Sequence, residues 1–97
     1  MAQPSYILKT HRNRVLEIAH AHGARNVRVF GSVAHGADRE GSDIDLLVDV
    51  DEGVTLFTLA GLEQALLELL GVRVDVRTPA EISHYIRDRV LSEARPL

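Results

Sequence analysis

The sequence predicts an α/β fold, a small mixed β-sheet of about three strands flanked by helices. Short β-branched segments alternate along the chain with segments whose apolar residues recur at helical spacing. Residues that favour turns, namely Gly, Ser, Asp and Pro, separate these segments. The chain has 97 residues, of which 45% are hydrophobic. That length suits one small domain, so residues 1–97 are interpreted as a single domain.

Three segments have the composition of strands. Residues 27–30, with the sequence Val-Arg-Val-Phe, are expected to form the first strand, residues 43–50 the second and residues 72–77 the third. The link between the first two strands is short, which allows an antiparallel pair. The link between the second and third strands contains a helix and suits a parallel crossover. A mixed sheet is therefore expected.

Helical spacing covers two longer segments. Residues 10–22 place apolar side chains at helical intervals and are followed by Gly23, a typical end signal. Residues 56–70 carry leucines along one broad face and end at Gly71. Residues 32–36 are expected to form a short helical turn. Helices therefore connect and cover the predicted strands.

A last helix is predicted from Thr78 to about Glu93. Thr78 resembles an N-cap, Pro79 lies in the first turn, and Glu81 follows the cap by three residues. The apolar residues at helical intervals predict which face of this helix is buried. That predicted face consists of Ile82, Ile86, Val90 and Leu91.

Composition narrows the class of protein. The absence of cysteine excludes disulfide scaffolds and thiolate metal sites. The first five residues lack the basic-then-apolar pattern of a secretory signal, and no apolar run is long enough to span a bilayer. A cytoplasmic protein without membrane contact is therefore expected. The formal net charge of −3 does not favour polynucleotide as a partner. The oligomeric state, including a homo-oligomer, stays open.

Two aspartates, Asp43 and Asp45, begin an otherwise apolar strand. Strand side chains two positions apart project from the same face, with Cα atoms about 6.6–6.8 Å apart. Two such carboxylates repel each other and lose hydration, and a divalent cation would offset both penalties. Oxygen ligands without cysteine favour Mg²⁺ or Mn²⁺. An isolated Asp-x-Asp would also fit a turn cap followed by an exposed edge residue.

A glycine–serine pair, Gly31 and Ser32, ends the first predicted strand. Glycine lets a backbone approach a ligand closely, and a helical turn that begins here directs free N–H groups at an anion. If the first two strands are antiparallel, these donors lie beside the carboxylates of Asp43 and Asp45. A metal-bound nucleoside triphosphate needs both kinds of group side by side.

A third carboxylate, Asp75, interrupts the apolar third strand. If this strand neighbours the second, Asp75 lies within one strand spacing of it, about 4.8 Å. It would then either complete a two-metal site or accept a proton from the attacking group. Arg73 and Arg77 flank it on the same face and either pair with it or contact phosphate. His35 contacts phosphate or an acceptor, or is an ordinary loop histidine.

The combined pattern of Gly31-Ser32 and the segment 42–46, Ser-Asp-Ile-Asp-Leu, resembles the signature of the DNA polymerase β-like nucleotidyltransferase superfamily. The short length and flanking helices resemble its minimal branch (MNT), which includes the antitoxins of HEPN/MNT toxin–antitoxin pairs. The resemblance covers nearly the whole chain, from Val15 to about Val90. The combined motif is highly specific.

The resemblance implies a role for each matching residue. Gly31 and Ser32 match the element that grips the triphosphate. Asp43 and Asp45 match the metal-binding pair, and Asp75 matches the third carboxylate, so that all three are implied as catalytic and metal-binding residues. Two Mg²⁺ ions are implied as cofactors and ATP as the usual donor. This chain has His35 where many relatives have arginine.

The resemblance also implies a biological target. Several minimal members transfer AMP to a tyrosine of a cognate HEPN ribonuclease toxin and silence it. Such an adenylyltransferase antitoxin is the primary expectation. The alternative is a non-catalytic antitoxin, a binding module that neutralises its partner protein by contact. Transfer to RNA ends or small molecules is less favoured, because larger relatives use an added domain to hold such acceptors.

Overall fold

A computed structural model describes residues 2–97 of the chain, which form one sheet with helices packed on it. The strands are β1 (Ala24–Phe30), β2 (Ile44–Val50), β3 (Val74–Arg77) and β4 (Arg95–Pro96). The α-helices are α1 (Pro4–Thr10), α2 (Arg12–Ala21), α3 (Gly31–Ala34), α4 (Leu56–Leu70) and α5 (His84–Glu93), and a 3₁₀ turn spans Pro79–Glu81.

The sheet is mixed, with strand order β3-β2-β1-β4. β1 and β2 pair antiparallel, and β2 and β3 pair parallel, which confirms the expected mixed sheet. The predicted sheet of about three strands gains a fourth, because β4 pairs antiparallel with β1. β4 has only two residues, too few to show an alternating pattern in the sequence. β1 also begins three residues before the predicted strand, and β3 two residues after its predicted start.

The two faces of the sheet differ in character because side chains alternate along each strand. On β2, the residues Ile44, Leu46 and Val48 are fully buried in the main core, together with leucines of α4. The intervening residues Asp45 and Leu47 therefore point to the opposite face. Polar groups at the start of β2 and β3 lie on that second face. The main core consequently anchors the strands that carry the carboxylates.

The helix predicted over residues 56–70 has the predicted bounds. α4 begins after Thr55, whose side chain and that of Thr58 accept hydrogen bonds from each other's backbone N–H. It ends at Gly71, which adopts φ 68° in the left-handed region, where glycine is favoured. Glu63 of α4 accepts a hydrogen bond from the Val76 N–H at 2.8 Å and so satisfies a donor of β3. Among residues 2–97, no helix combines the length and apolar character needed to cross a membrane.

The prediction for the last helix was wrong in two respects. Thr78 and Glu81 do form the expected capping contact, but the turn they start ends at Ile82, which is extended. α5 begins only at His84, after Ser83 as its cap. The predicted buried face was also wrong, because α5 buries no residue completely. Ile86 and Leu91 are exposed there, and Ile82 is buried but precedes the helix.

Two helices meet at a turn at His11: α2 covers most of the predicted helix over residues 10–22, and α1, which precedes it, was not predicted. A carboxylate that is distant in the sequence caps α1. Asp38 is buried in the loop after α3, and its Oδ2 accepts a hydrogen bond from the Ser5 N–H at 2.9 Å. Ser5 lies in the first turn of α1, where N–H groups have no partner within the helix. Asp38 thus caps α1 through a tertiary contact that local spacing does not reveal.

Replacing Asp38 with alanine should lower the free energy of unfolding by about 1 kcal/mol, as is usual for loss of a cap. For a domain of this size that is about 4–8 °C in the thermal midpoint. Burial raises the pKa of Asp38, but hydrogen bonds from Ser5 and its own backbone N–H outweigh burial and hold the pKa below 3.8. The stabilisation by the Asp38 carboxylate is therefore complete above pH 3.8, and it is lost as the pH falls through the lower pKa of the folded state.

Thermal melts of the wild type and Asp38→Ala, followed by circular dichroism at neutral and acid pH, measure this effect. Asp88→Ala removes an exposed carboxylate from α5 and serves as the control. Equal midpoints for Asp38→Ala and the wild type at neutral pH would show that the contact contributes nothing.

Candidate active site

Three strand ends meet at one edge of the sheet and bring the predicted carboxylates together. Phe30 at the end of β1 pairs with Asp45 near the start of β2. Asp45 pairs in turn with Asp75 of β3 in the parallel ladder. Asp43 immediately precedes β2 and lies two residues from Asp45, on the same face. The structure thus gathers all three predicted acids, although they are up to 32 residues apart in the sequence.

Asp45 occupies the centre of this group. Its side chain is partly buried, whereas Asp43 is exposed. Burial, followed by the charges of Asp75 and Asp43, raises the pKa of the Asp45 carboxyl above 3.8, and Arg77 offsets only part of the increase. The folded chain therefore holds the ionised carboxylate in an unfavourable environment. A cation placed among the three acids would relieve both the repulsion and the lost hydration.

Gly31 contacts this central carboxylate directly. It begins α3 with φ 70°, in the left-handed region, and a Cβ atom there would lie 2.5 Å from Oδ2 of Asp45. Both the conformation and the space therefore require glycine. Ser32 follows in the first turn of α3, where backbone N–H groups have no partner within the helix. The predicted Gly31-Ser32 element thus lies beside the acids.

Arg73 lies between two of the carboxylates. Its carbonyl oxygen accepts the Ile44 N–H at 2.9 Å, which fixes its backbone next to the start of β2. Its Nε atom lies 4.0 Å from Oδ2 of Asp43 and 4.0 Å from Oδ1 of Asp75. The sequence left open whether Arg73 pairs with acid or phosphate. The structure shows the pairing with acid, and it includes Asp43, which the sequence reading did not foresee.

The donor set suits a hard divalent cation. All three carboxylates supply oxygen ligands, which Mg²⁺ and Mn²⁺ prefer, and the raised pKa of Asp45 indicates unbalanced negative charge. In the described part of the chain, residues 2–97, no three acidic or histidine side chains are already arranged as a metal-ligand cluster. The fit is therefore one of charge, ligand type and location.

A cleft of about 200 Å³ adjoins Gly31, between the end of β1 and α5. On its wall, Glu93 accepts a hydrogen bond from Arg89 at 3.3 Å, and Nε2 of His35 lies 3.0 Å from its other carboxylate oxygen. The hydrogen bond from Arg89 and that with His35 hold the pKa of Glu93 below its usual value. His35 therefore links the loop after α3 to α5. The cleft is lined by Phe30, Gly31, Ile86, Arg89, Val90 and Glu93.

The sequence reading missed Arg89 and Glu93, because only the packing of α5 brings them beside Gly31. An acidic run at the end of β2 lies outside this group of carboxylates. Asp49 pairs with Arg28 at 2.9 Å, and Asp51 pairs with Arg25. These acids lie towards the far end of β2 and neutralise arginines of β1.

The fold and the grouped carboxylates define a class of enzyme that transfers nucleotides with the help of metal ions. Comparison with known families agrees: residues 8–97 match the model of the nucleotidyltransferase domain. The chain belongs to this family, and the prediction made from residues 31–32 and 42–46 is confirmed.

Known relatives give the narrower similarity. The protein adenylyltransferase MntA of Thermococcus cleftensis is 38% identical over 87 residues, which cover 90% of this chain and 85% of the relative. A solved structure described as a "putative minimal nucleotidyltransferase" is 49% identical, with a TM-score of 0.85, and covers 96% of this chain and 95% of that one. The fold of this chain is that of a minimal nucleotidyltransferase.

A more distant structure shares the fold alone. It contains a tri-AMPylated Shewanella oneidensis HEPN toxin in complex with an MNT antitoxin, and the similarity has a TM-score of 0.68 with 18% sequence identity. The alignment covers 91% of this chain and 69% of that one.

Replacing Asp45 with asparagine should raise the thermal midpoint of the metal-free protein at neutral pH. The substitution keeps the shape and removes the repelled charge. In the folded protein the pKa of Asp45 lies above 3.8. The destabilisation by its charge is therefore absent below pH 3.8 and complete at pH values above the folded pKa. The gain should therefore disappear in acid.

Thermal melts in the presence of a chelator measure the change, with Glu52→Gln as a control that removes an exposed acid outside the site. A lower midpoint for Asp45→Asn than for the wild type at neutral pH would contradict the repulsion derived from the geometry.

Proposed function

We propose that this chain transfers AMP from ATP to a tyrosine hydroxyl of a cognate HEPN-type toxin and acts as its antitoxin. The observation that carries the proposal is the placement of Asp43, Asp45 and Asp75 on one face, directly beside Gly31. This arrangement juxtaposes cation ligands with a backbone that can approach phosphate. We also propose a cytoplasmic location, because such a reaction requires ATP.

The nucleotide is held by two kinds of group. Gly31 leaves room for phosphate next to the carboxylates, and the Ser32 hydroxyl and the first N–H groups of α3 donate hydrogen bonds to phosphate oxygens. Asp43, Asp45 and Asp75 would hold two Mg²⁺ ions, or Mn²⁺ in their place. When bound, these ions neutralise the charge that develops on the attacking and leaving oxygens.

The transfer itself is an in-line displacement at the α-phosphorus. The tyrosine oxygen forms a bond to phosphorus, the bond to the pyrophosphate oxygen breaks, and the hydroxyl proton leaves towards Asp75 or solvent. Asp75 lies on β3, next to Asp45, and orients the hydroxyl for attack. The chain contributes mainly positioning and charge compensation.

A protein acceptor agrees with the surroundings of the site. The formal net charge of −3 gives the chain little general attraction for a polynucleotide. Asp43 is exposed, so a docked protein could supply the missing wall and present its own hydroxyl. The relative from Thermococcus cleftensis is named a protein adenylyltransferase, and the Shewanella oneidensis complex holds an AMPylated HEPN toxin. These names support a HEPN-type toxin as the acceptor and AMP as the transferred group.

The direct test incubates the protein with Mg²⁺ and labelled ATP in three parallel reactions. One contains the HEPN-type protein encoded beside it, one contains RNA, and one contains no acceptor. Intact mass and peptide mapping should locate AMP on a tyrosine of the HEPN-type protein. Label on RNA alone would overturn the acceptor. A tight complex without any transfer, although ATP and metal bind, would favour an antitoxin that acts by contact.

Asp43→Asn and Asp45→Asn should each reduce AMP transfer at least a hundredfold while the protein stays folded. Each variant retains side-chain size and removes a charge that the metal ions require. Initial rates of label incorporation measure the loss, and circular dichroism verifies the fold. Glu52→Gln removes an acid outside the site and should transfer at the wild-type rate. Wild-type activity in either folded aspartate variant would eliminate its role as a metal ligand.

Arg73→Gln should strengthen Mg²⁺ binding by the nucleotide-free protein several-fold. The Arg73 guanidinium lies 4.0 Å from oxygens of both Asp43 and Asp75, so a cation must compete with it. Titration calorimetry with Mg²⁺ and no nucleotide measures the affinity. Arg95→Gln, exposed on β4, is the control for a general change in net charge. Equal strengthening in both variants would assign the effect to net charge alone.

A further inference from the structure

The outer side of α4 exposes apolar residues that the fold does not use. Phe57 is 91% exposed, Leu56 72% and Leu67 39%, although the same helix buries four other leucines in the core. Apolar side chains exposed singly are common on protein surfaces, but several on one side of one helix indicate an interaction surface. This surface was not part of any prediction made from the sequence.

The spacing of these residues is that of a helix-pairing seam. Phe57, Ala60, Gln64 and Leu67 are separated by three, four and three residues. That spacing places them in one row and matches the alternate core positions of a coiled coil. All four are exposed. We call this row the α4 seam.

The residues on either side of the α4 seam already make contacts within the chain. On one side, Glu63 accepts a hydrogen bond from the Val76 N–H of β3. On the other side, Gly61 faces the ring of His22, whose carbon and nitrogen atoms lie 3.9 Å from the position of a Cβ. The α4 seam thus lies between residues that make contacts within the chain; of its own residues, Gln64 donates a hydrogen bond to Glu68 on the same helix at 3.3 Å.

We propose that the α4 seam pairs with the α4 seam of a second copy of this chain, with the two helices antiparallel. The seam is self-complementary in that orientation about its midpoint, near Leu62. Phe57 then faces Leu67 of the second copy, and Ala60 faces Gln64 of the second copy. The large residues pack at both ends, and the small Ala60 lets the helices approach at the centre. One patch therefore serves both subunits, as a twofold interface requires.

The charges on α4 favour both the antiparallel orientation of the pair and a second copy of this chain as the partner. α4 contains Glu63 and Glu68 but no lysine or arginine. A parallel pair would align Glu68 with its own copy, and like charges repel. In the antiparallel pair, Glu68 lies near the N-terminus of the opposite α4, close to Thr55, where the helix dipole is positive. A second copy of the chain thus places a negative charge beside the positive end of this helix.

The pairing is compatible with the site. α4 packs on Ile44 and Leu46 and so covers the face of the sheet opposite to the one that carries Asp45. Two copies joined there keep both sites accessible. The proposal does not depend on the identity of the reaction, because association is measured without nucleotide.

Sedimentation velocity of the purified full chain over a range of concentrations tests the association. The wild type should form dimers in the micromolar range, whereas Phe57→Gln and Leu67→Gln should remain monomers, with unchanged circular dichroism. Tyr85→Gln is the matched control, since Tyr85 is 85% exposed on α5 and outside the seam. A wild type that stays monomeric up to about 0.5 mM, a weak affinity for any specific interface, overturns the proposal. Dimers of equal strength in both seam variants overturn it as well.

A second measurement tests the orientation. The chain has no cysteine, so introduced thiols report only the chosen contacts. An oxidised equal mixture of Ala60→Cys and Gln64→Cys proteins should contain more mixed disulfide dimer than random pairing gives. A parallel pair would enrich the two homodimers instead, and that result would overturn the antiparallel arrangement. AMP transfer assays on the same variants report separately on the proposed function.

Discussion

The close approach of Gly31 to Asp45 is the contact on which the arrangement of the site depends. It requires β1 to end where β2 begins, and the antiparallel pairing of Phe30 with Asp45 provides this. Any side chain at position 31 would occupy the space of the carboxylate oxygen. Any other residue would strain the backbone here and displace the carboxylate, so the turn into α3 favours glycine, and the first turn of α3 then lies beside the acids.

The repelling carboxylates must be held by packing elsewhere. Ile44 and Leu46 alternate with them along β2 and are buried against the other face of the sheet, where α4 covers them. Burial of a large aliphatic side chain contributes about 1.5–3 kcal/mol. The core beneath the site therefore offsets the repulsion above it. This division explains why the strand is apolar on one face and acidic on the other, and why Asp45 is expected to destabilise the metal-free fold.

The sequence was sufficient wherever local chemistry determines structure. α4 has its predicted bounds because Gly71 and the leucine spacing act within the helix itself. The grouping of Asp45 with Asp75 was also predictable, because a helix between two strands favours a parallel pair. The capping signal at Thr78 was misleading, because a 3₁₀ turn and an α-helix begin with the same contacts. The cap that Asp38 gives α1 and the position of Glu93 depend on tertiary packing, which local patterns do not encode.

The alternation of charge on the site face bears on how a nucleotide enters. Arg73 and Arg77 flank Asp75 on β3, and the three carboxylates lie among them. A triphosphate alone would be repelled by the acids, and a cation alone must compete with Arg73. A triphosphate that carries its own cation satisfies both sets of groups at once, because the cation meets the acids while the displaced guanidinium becomes available to phosphate. Under the proposed function, the arrangement therefore favours joint entry of metal and nucleotide over the separate binding of either.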